Sequence, residues 1–275
     1  MRARFWGTRG SIPTPGQRTV RYGGNTACVE VRDARGSILV LDAGTGLREL
    51  GLHLAQKANG PLSLEMFLSH LHWDHIQGIP FFRPAYDPRT AIRIHAPAHA
   101  HPLKDLLGIG MDDPFFPVDL DAIPARLDIE EMPHDGVRDA GPFHVRSTLL
   151  YHPAPALAYR VEADGRSLVY ATDTEDPFSG RENPVIALAS GADCLIHDAQ
   201  YQDDDYKKGW GHSTIASAVD VAARAGVRRL VLYHHDPDRS DDALDEIGKR
   251  AQELARERAG DLEVLVAYEG MELAL

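Results

Sequence analysis

The residues best suited to chemistry lie in one short segment, His70-x-His72-x-Asp74-His75. Histidine and aspartate are common ligands of divalent metal ions. The segment follows a predicted strand, Leu64–Leu68, and two histidines two residues apart on an extended strand end point to the same side. Four ligand-type side chains at this spacing do not fit one small cation with good geometry, but they can serve two adjacent cations. By composition the pattern arises roughly 0.003 times in such a chain, so a coincidental polar turn explains it poorly.

Two metal ions need more ligands, and α/β proteins gather ligands where strands end. His95 also ends a predicted strand and is left open as a residue that lines the site. An apolar strand delivers Asp42 to a small-residue turn in the same way as the strand before Asp173. Helical or loop positions make structural or solvated roles the expectation for His53, His99, His101 and His134. The further ligand candidates are His152 after Val145–Leu149, Asp173 after Ser167–Ala171, and His234 after Arg229–Tyr233.

Short apolar runs alternate with helical patterns, which is typical of a layered α/β protein. Helices are expected over Arg48–Ala58 and from Asn183, from Ser213 or Thr214, and from Ser240, with Gly191, Gly226 and Gly260 following the last three. The predicted strands are Ala27–Val31, Ile38–Leu41, Leu64–Leu68, Ile92–His95, Val145–Leu149, Ala158–Val161, Ser167–Ala171, Cys194–His197, Arg229–Tyr233 and Glu263–Ala267.

The chain of 275 residues has the ordinary composition of a globular protein and a net charge of −12. No linker divides it, so we expect one domain over 1–275, in which the Pro- and Asp-rich segment 97–132 is either a surface connection or a lid or interface over a site. The negative charge repels polyphosphate and argues against long nucleic acid as a partner. With two lone cysteines and no apolar run of membrane-spanning length, we expect a cytoplasmic protein without a membrane partner.

This arrangement resembles the metallo-β-lactamase superfamily, whose signature is His-x-His-x-Asp-His followed by a distant His, Asp and His. The resemblance covers nearly the whole chain. It implies a four-layer αββα sandwich with two divalent metal ions at one edge of the sheets. The ligands it implies are His70, His72 and His152 for the first metal, Asp74, His75 and His234 for the second, and Asp173 as a bridge between the two.

The bridging position separates the branches of this superfamily. Its β-lactam hydrolases generally carry Cys there or lack a bridging carboxylate, so Asp173 argues against a β-lactamase. Its iron–flavin oxygen reductases carry Glu where this chain has His72. Thioesterases, lactonases and phosphodiesterases remain.

Two further stretches resemble the phosphodiesterase branch. Trp210-Gly211-His212-Ser213-Thr214 is similar to the His-Ser-Thr helix of tRNase Z and its small-molecule relatives, in which the His supports the leaving group. The assisting acid of that branch matches Asp198 in His197-Asp198. The opening Gly7-Thr8-Arg9-Gly10-Ser11 and Gly23-Gly24-Asn25-Thr26 also look like cyclic-nucleotide and cyclic phosphoribosyl phosphodiesterases. Purely structural roles, with His212 as a helix cap, stay open as alternatives.

The predicted function is a dinuclear metal-dependent phosphodiesterase that acts on a small, cyclic-nucleotide-like phosphodiester. Two bound metal ions would lower the pKa of a shared water, and the resulting hydroxide would be the nucleophile toward phosphorus. His212, oriented by Asp198, protonates the leaving oxygen, while Asp74 anchors a metal and is a candidate to orient the hydroxide. Zn²⁺ is the first choice for these ligands, with Mn²⁺ or Fe²⁺ as alternatives.

Three other functions are kept as alternatives. A lactone, carboxyl-ester or thioester hydrolase would use the same metal site. A tRNA 3′-end endonuclease is disfavoured by the net charge and by the absence of a long basic, Gly-rich insertion. A non-catalytic metal-binding scaffold would use Phe115-Phe116 as its contact. A homodimer is left open.

Overall fold

The computed structural model describes residues 1–57, 60–177 and 180–275, which form two mixed β-sheets of seven strands each. The first six strands and the last one form the first sheet, and the strands between them form the second. In the described part of the chain the strands are β1 (Arg2–Gly7), β2 (Cys28–Arg32), β3 (Ile38–Leu41), β4 (Ser63–Phe67), β5 (Ala91–Pro97), β6 (Arg126–Met132), β7 (Val137–Ala140), β8 (Phe143–Leu149), β9 (Leu157–Ala163), β10 (Arg166–Ala171), β11 (Cys194–Asp198), β12 (Arg229–Tyr233), β13 (Glu263–Val266) and β14 (Glu272–Ala274).

The two sheets have similar strand orders, β14-β1-β2-β3-β4-β5-β6 and β13-β12-β11-β10-β9-β8-β7. Strands β3 to β6 run parallel to one another, as do β10 to β13. Strand β8 is antiparallel to β9, which is antiparallel to β10, so β8 and β10 share a direction. Within each sheet, the segments that follow these strands therefore leave at a common edge, where ligands collect in α/β proteins.

Helices cover the outer face of each sheet. Within the described residues the α-helices are α1 (Gly46–Lys57), α2 (Trp73–Ile76), α3 (Leu103–Ile109), α4 (Pro184–Ala189), α5 (Ile215–Ala225) and α6 (Asp241–Ala259), of which α2 is a single short turn after β4. Helices α1 and α3 pack on the first sheet, and α4, α5 and α6 pack on the second. The four-layer αββα sandwich is thus confirmed.

Three apolar cores hold the layers together. Alternate residues of β3 show how, because Leu39 and Leu41 face the core between the sheets while Ile38 and Val40 face α1. A strand that is buried on both faces needs a continuous apolar run, which is why Ile38–Leu41 could be identified from sequence.

All ten predicted strands are present, and their ends differ from the predicted ones by at most two residues. The predicted helix caps are also present: Asn183 accepts from the Val185 amide, Thr214 from Ser217 and Ser240 from Ala243. The helix expected over Arg48–Ala58 begins earlier, at Gly46, and Ala58 lies outside the described residues.

Four strands were missed, namely β1, β6, β7 and β14. Strands β6, β7 and β14 lie at sheet edges, and β1 alternates charged residues with the buried Ala3 and Phe5. A search for continuous apolar runs overlooks strands of this kind because only one of their faces is covered.

The segment 97–132 contains more regular structure than a surface connection. It includes α3 and β6, and Met111 and Leu120 are buried against the first sheet. Phe116 packs edge-on against Phe81, with ring centroids 5.5 Å apart, whereas Phe115 is exposed. A role as a lid or an interface stays a prediction.

Two composition-based expectations concern the thiols and the membrane. Both cysteines, Cys28 and Cys194, are buried and free, and burial raises the pKa of the Cys194 thiol to about 12. Among the described helices, none combines the length and apolar character that crossing a bilayer requires.

Candidate metal centre

Seven side chains with metal-ligand chemistry converge where strands of the two facing sheets end. His70 and His72 follow β4, and the short helix α2 carries the next two. The second sheet contributes one residue after each of β8, β10 and β12. The seven are His70, His72, Asp74, His75, His152, Asp173 and His234.

Together with His212, their ligand atoms form overlapping groups of three, and within each group all atoms lie within 4.8 Å of one another. Two groups coincide with the triads that the family resemblance implies, and the other two share Asp173. The groups are His70–His72–His152, Asp74–His75–His234, His70–His75–Asp173 and Asp173–His212–His234.

The Asp173 carboxylate lies between the two triads. Its Oδ1 is 3.7 Å from His70 Nε2. Its Oδ2 is 3.3 Å from Nε2 of both His75 and His234. Each oxygen thus faces one triad, which is the placement that a bridging ligand needs.

The inward-facing atoms of this cluster fit divalent metal ions. His70 Nε2 is buried and has no hydrogen-bond partner among the described residues. Nε2 of His75 and of His234 lie 3.2 Å apart, and Asp74 Oδ2 is 3.2 Å from each. Buried polar atoms without partners are costly, and mixed imidazole and carboxylate ligands suit Zn²⁺, Mn²⁺ or Fe²⁺. The cluster therefore fits a metal site.

The charge balance of the cluster also favours cations. Burial lowers the pKa of His75, but the carboxylates of Asp74, Asp173 and Asp42 outweigh it and hold that pKa well above its ordinary value. Burial raises the pKa of Asp173, but His234, His75 and His70 hold it well below its usual range. The buried carboxylates are thus stabilised by nearby positive charge, which bound metal ions would supply.

Protein oxygens hold the second ring nitrogen of four of the histidines. Such partners fix the ring orientation and leave Nε2 for a metal. The Nδ1 contacts are His70 to Ser69 Oγ at 3.0 Å, His75 to Asp42 Oδ2 at 2.7 Å, His152 to the Ala154 carbonyl at 3.1 Å, and His234 to Gln200 Oε1 at 3.0 Å.

Asp42 and Gln200 are functional candidates that the sequence did not assign. Asp42 is fully buried and accepts hydrogen bonds from the Ser69 amide and from the hydroxyls of Ser69 and Tyr170, besides its contact with His75. The available signal was the repeat of a strand that ends in an aspartate. Both aspartates of that repeat have a positive φ, 60° for Asp42 and 52° for Asp173.

The loop after β1 closes another side of the centre. The Ser11 amide donates to Asp74 Oδ2 at 2.7 Å. A Cβ on Gly10 would lie 2.5 Å from His234, so only glycine fits there. The glycine-rich opening that resembles phosphodiesterases therefore packs against two of the ligand candidates.

His212 lies beside the cluster and is held by Asp198, as the resemblance implies. Its Nδ1 is 2.8 Å from Asp198 Oδ2, and its ring is nearly parallel to that of His234 at 5.0 Å. Burial lowers the pKa of His212, but the charge and hydrogen bond of Asp198, with Asp173 and Asp74, raise it to about 9. Asp198 also accepts from the Ser213 and Asp173 amides.

Two exposed tryptophans lie close in the chain to residues of the centre. Trp73 lies between His72 and Asp74 in the chain and is 68% exposed. Trp210 is 62% exposed and precedes Gly211, where a Cβ would lie 2.3 Å from His152. The Lys207 ammonium lies 4.9 Å from the Trp210 ring.

His95, which was left open as a lining residue, does not join the cluster. It is buried on the neighbouring strand β5, where Nε2 contacts Glu65 at 2.9 Å and the ring stacks on Phe67. His53 packs against Trp6 on the outer face of the first sheet. Both histidines therefore make packing contacts outside the cluster.

Comparison with known proteins agrees with this geometry. Residues 38–235 match a family model described as a beta-lactamase superfamily domain. Ribonuclease Z of Haloarcula marismortui is 28% identical, over 99% of this chain and 96% of its own length. The names of such relatives stand in tension with the expectation that long nucleic acid is not a partner.

Solved structures share the fold at low sequence identity. Yeast PDE1 aligns with a TM-score of 0.74 at 17% identity, covering 100% of this chain and 99% of its own. The short form of human tRNase Z aligns with a TM-score of 0.68 at 22% identity, covering 100% of this chain and 99% of its own.

Proposed function

The chain belongs to the metallo-β-lactamase superfamily, and from that premise we propose that it is a dinuclear metal-dependent hydrolase of small phosphodiesters. Zn²⁺ is the metal we propose, held by the two triads with Asp173 between them. When bound, the metal ions supply Lewis-acid chemistry, neutralising the phosphoryl oxygens and activating a water. The relatives and neighbours named above include a phosphodiesterase and ribonucleases, which supports this reaction class.

The chain's own residues prepare the site for this reaction. Asp42 and Gln200 hold the rings of His75 and His234 in place through Nδ1. The Ser11 amide fixes one oxygen of Asp74. Because these partners are themselves buried or part-buried, the ligand atoms are preorganised before metal and substrate bind.

His212 is the proposed proton donor to the leaving oxygen. The observation that carries the proposal is the 2.8 Å contact of its Nδ1 with Asp198, in a ring that lies nearly parallel to that of His234. With Nδ1 held, Nε2 is the nitrogen that can deliver a proton. A carboxylate-held histidine beside the cluster suits a reaction with a poor, alkoxide-type leaving group.

The substrate we propose is small and carries an aromatic group such as a nucleobase. Trp73 and Trp210 offer exposed aromatic faces next in the chain to His72 and Gly211, and Lys207 places a positive charge beside one of them. Base–aromatic stacking contributes about 1–3 kcal/mol per base. On a body with a net charge of −12, a short substrate meets less repulsion than a polynucleotide.

The test measures how the His212→Ala variant affects the hydrolysis of substrates with two different leaving groups. Hydrolysis of 2′,3′- or 3′,5′-cyclic nucleotides, which release an alkoxide, should fall by about 10²-fold or more. Hydrolysis of bis-p-nitrophenyl phosphate should fall far less, because p-nitrophenolate leaves without a proton. His144→Ala, at an exposed histidine paired with Asp139, is the control. Equal losses on both substrates with metals still bound would reject the proton-donor role.

RNA is the second candidate substrate, favoured by the ribonuclease Z relatives. A tRNA precursor with a 3′ extension, tested beside the cyclic nucleotides, lactones and thioesters under Zn²⁺ and Mn²⁺, separates the possibilities. Cleavage of the precursor at low protein concentration, with no turnover of small diesters, would replace the small-substrate proposal. Turnover of lactones or thioesters alone would replace the phosphodiesterase proposal altogether.

A further inference from the structure

The outer face of the first sheet carries a cluster of cations far from the metal centre. Arg2 and Arg4 lie on β1, Arg32 lies on β2, and Lys57 ends helix α1 above them. Together with His53 they line a cavity of about 150 Å³ between the sheet and the helix. A cavity of this size has room for an ion of several heavy atoms, because one water needs only about 10–15 Å³.

The strand register places like charges directly opposite one another. Arg2 pairs with Arg32 across the antiparallel β1–β2 ladder. Like charges in directly opposite positions destabilise a sheet. An arrangement of this kind is relieved when an anion lies between the two guanidinium groups.

The acids of the cavity do not balance its cations. Its two carboxylates are already engaged, since Glu272 accepts from Arg4 and Glu30 accepts from Arg32 and from the Trp6 indole. Counting four cations against two carboxylates leaves a local charge of about +2 on a chain with a net charge of −12.

Part of this positive charge has no partner. The side chains of Arg2 and Lys57 make no ion pair or hydrogen bond with any residue that the structure describes. The Arg4 Nε is buried and also lacks a hydrogen-bond partner there. Guanidinium groups with free donors are suited to phosphate oxygens, which they bind through parallel hydrogen bonds.

From these observations we propose that the cavity between β1, β2 and the end of α1 is a second anion site, which binds a dianionic phosphate group. A phosphate group carries between about 1.5 and 2 negative charges near neutral pH, which matches the local excess. The site is distinct from the metal centre, because Arg2 lies at the opposite end of β1 from Gly7, about 17 Å away along an extended strand.

The three tryptophans of the chain allow a position-resolved test. The Trp6 ring lies 4.2 Å from the Arg4 guanidinium, so its indole signal reports on the cavity. Trp73 and Trp210 report on the metal centre. Inorganic phosphate is titrated into Zn²⁺-loaded, ¹⁵N-tryptophan-labelled protein, with sodium chloride at equal ionic strength as the reference. The Trp6 indole signal should shift in a saturable manner with phosphate only.

Variants then show whether the cavity cations cause this shift. Arg2→Gln/Lys57→Gln should raise the apparent dissociation constant read at Trp6 by at least about tenfold, since charge-assisted hydrogen bonds of this size are removed. The control, Arg256→Gln/Lys249→Gln on the exposed face of α6, removes equal charge and should leave the constant unchanged.

Adenosine 5′-monophosphate distinguishes a free phosphate ion from a phosphomonoester. Equal dissociation constants would identify the phosphate ion as sufficient, and tighter binding of the nucleotide would identify a phosphomonoester ligand. The proposal is overturned if Trp6 does not respond to either anion, if chloride moves it equally, or if the double variant binds as tightly as its control.

Discussion

Asp42 Oδ2 lies 2.7 Å from Nδ1 of His75, so a residue at the end of β3 holds a ring that follows β4. The same oxygen accepts from the Tyr170 hydroxyl, which belongs to the second sheet. One carboxylate thus joins both sheets to a candidate metal ligand. The side-chain and amide groups that face the Asp42 carboxylate are all hydrogen-bond donors. This position therefore requires an acceptor.

The variant Asp42→Asn should weaken metal binding by about 10–100-fold, the usual effect of losing a partner that orients a ligand. The NH₂ group of the Asn side chain would face groups that are themselves donors, and the His75 ring would lose the contact that orients it. Competition with a chromophoric chelator measures the affinity.

The matched control for this variant is Asp193→Asn. Asp193 also accepts from a serine, through the Ser167 amide and hydroxyl, but it lies at the start of β11, away from the centre. It should lose stability without any change in metal affinity. If both variants bound metal as the unmodified protein does, the orienting role of Asp42 would be wrong.

The second prediction compares alanine variants of Gly211 and Gly209. Both have a positive φ, 85° and 83°, but a Cβ on Gly211 would lie 2.3 Å from His152 whereas one on Gly209 meets nothing within 4 Å. Both alanine variants should therefore lose about 1 kcal/mol of stability from backbone strain.

Gly211→Ala alone should also weaken metal binding, because His152 must move. Metal content after dialysis, measured by mass spectrometry, separates the two effects. A Gly211→Ala protein that retains the same metal content as Gly209→Ala would show that the His152 ring can shift without losing its function.

The sequence predicted the edge of the sheets well because ligand candidates follow closely after several of the predicted strands. His70, Asp173 and His234 could be placed in this way, since a strand buried on both faces is visible as a continuous run. Asp42 and Gln200 could not be assigned, because their role depends on contacts across the sheets or between separate strands. Strands β6 and β14 were missed because edge strands need no continuous apolar run.

The third prediction concerns Asp198. In Asp198→Asn the side chain can still accept from His212, but the negative charge that favours a protonated ring is lost. Turnover of cyclic nucleotides should fall by about 10²-fold, with a smaller effect on bis-p-nitrophenyl phosphate. Since Asp198 also accepts from the Asp173 amide, bound metal is measured in parallel. Loss of metal at unchanged turnover per metal would make Asp198 a structural residue.

The last prediction concerns Arg9, whose side chain is fully buried without a close carboxylate. Its guanidinium donates to the carbonyls of Gly23 at 2.9 Å, Arg239 at 2.8 Å and Asp236 at 3.3 Å, and the nearest carboxylate, Asp241, is 4.0 Å away. It therefore ties the loop after β1 to two others.

Lysine has a compact charge and cannot reproduce this fork, so Arg9→Lys should lower the free energy of unfolding by roughly 2–4 kcal/mol. Urea unfolding measures this change. The control is Arg18→Lys at an exposed position, which should change the free energy of unfolding by no more than about 0.5 kcal/mol. Because the same loop carries the Ser11 amide that donates to Asp74, Arg9→Lys should also reduce metal affinity. Equal stability of the two lysine variants would mean that the three carbonyls find other donors and that the loop does not depend on Arg9.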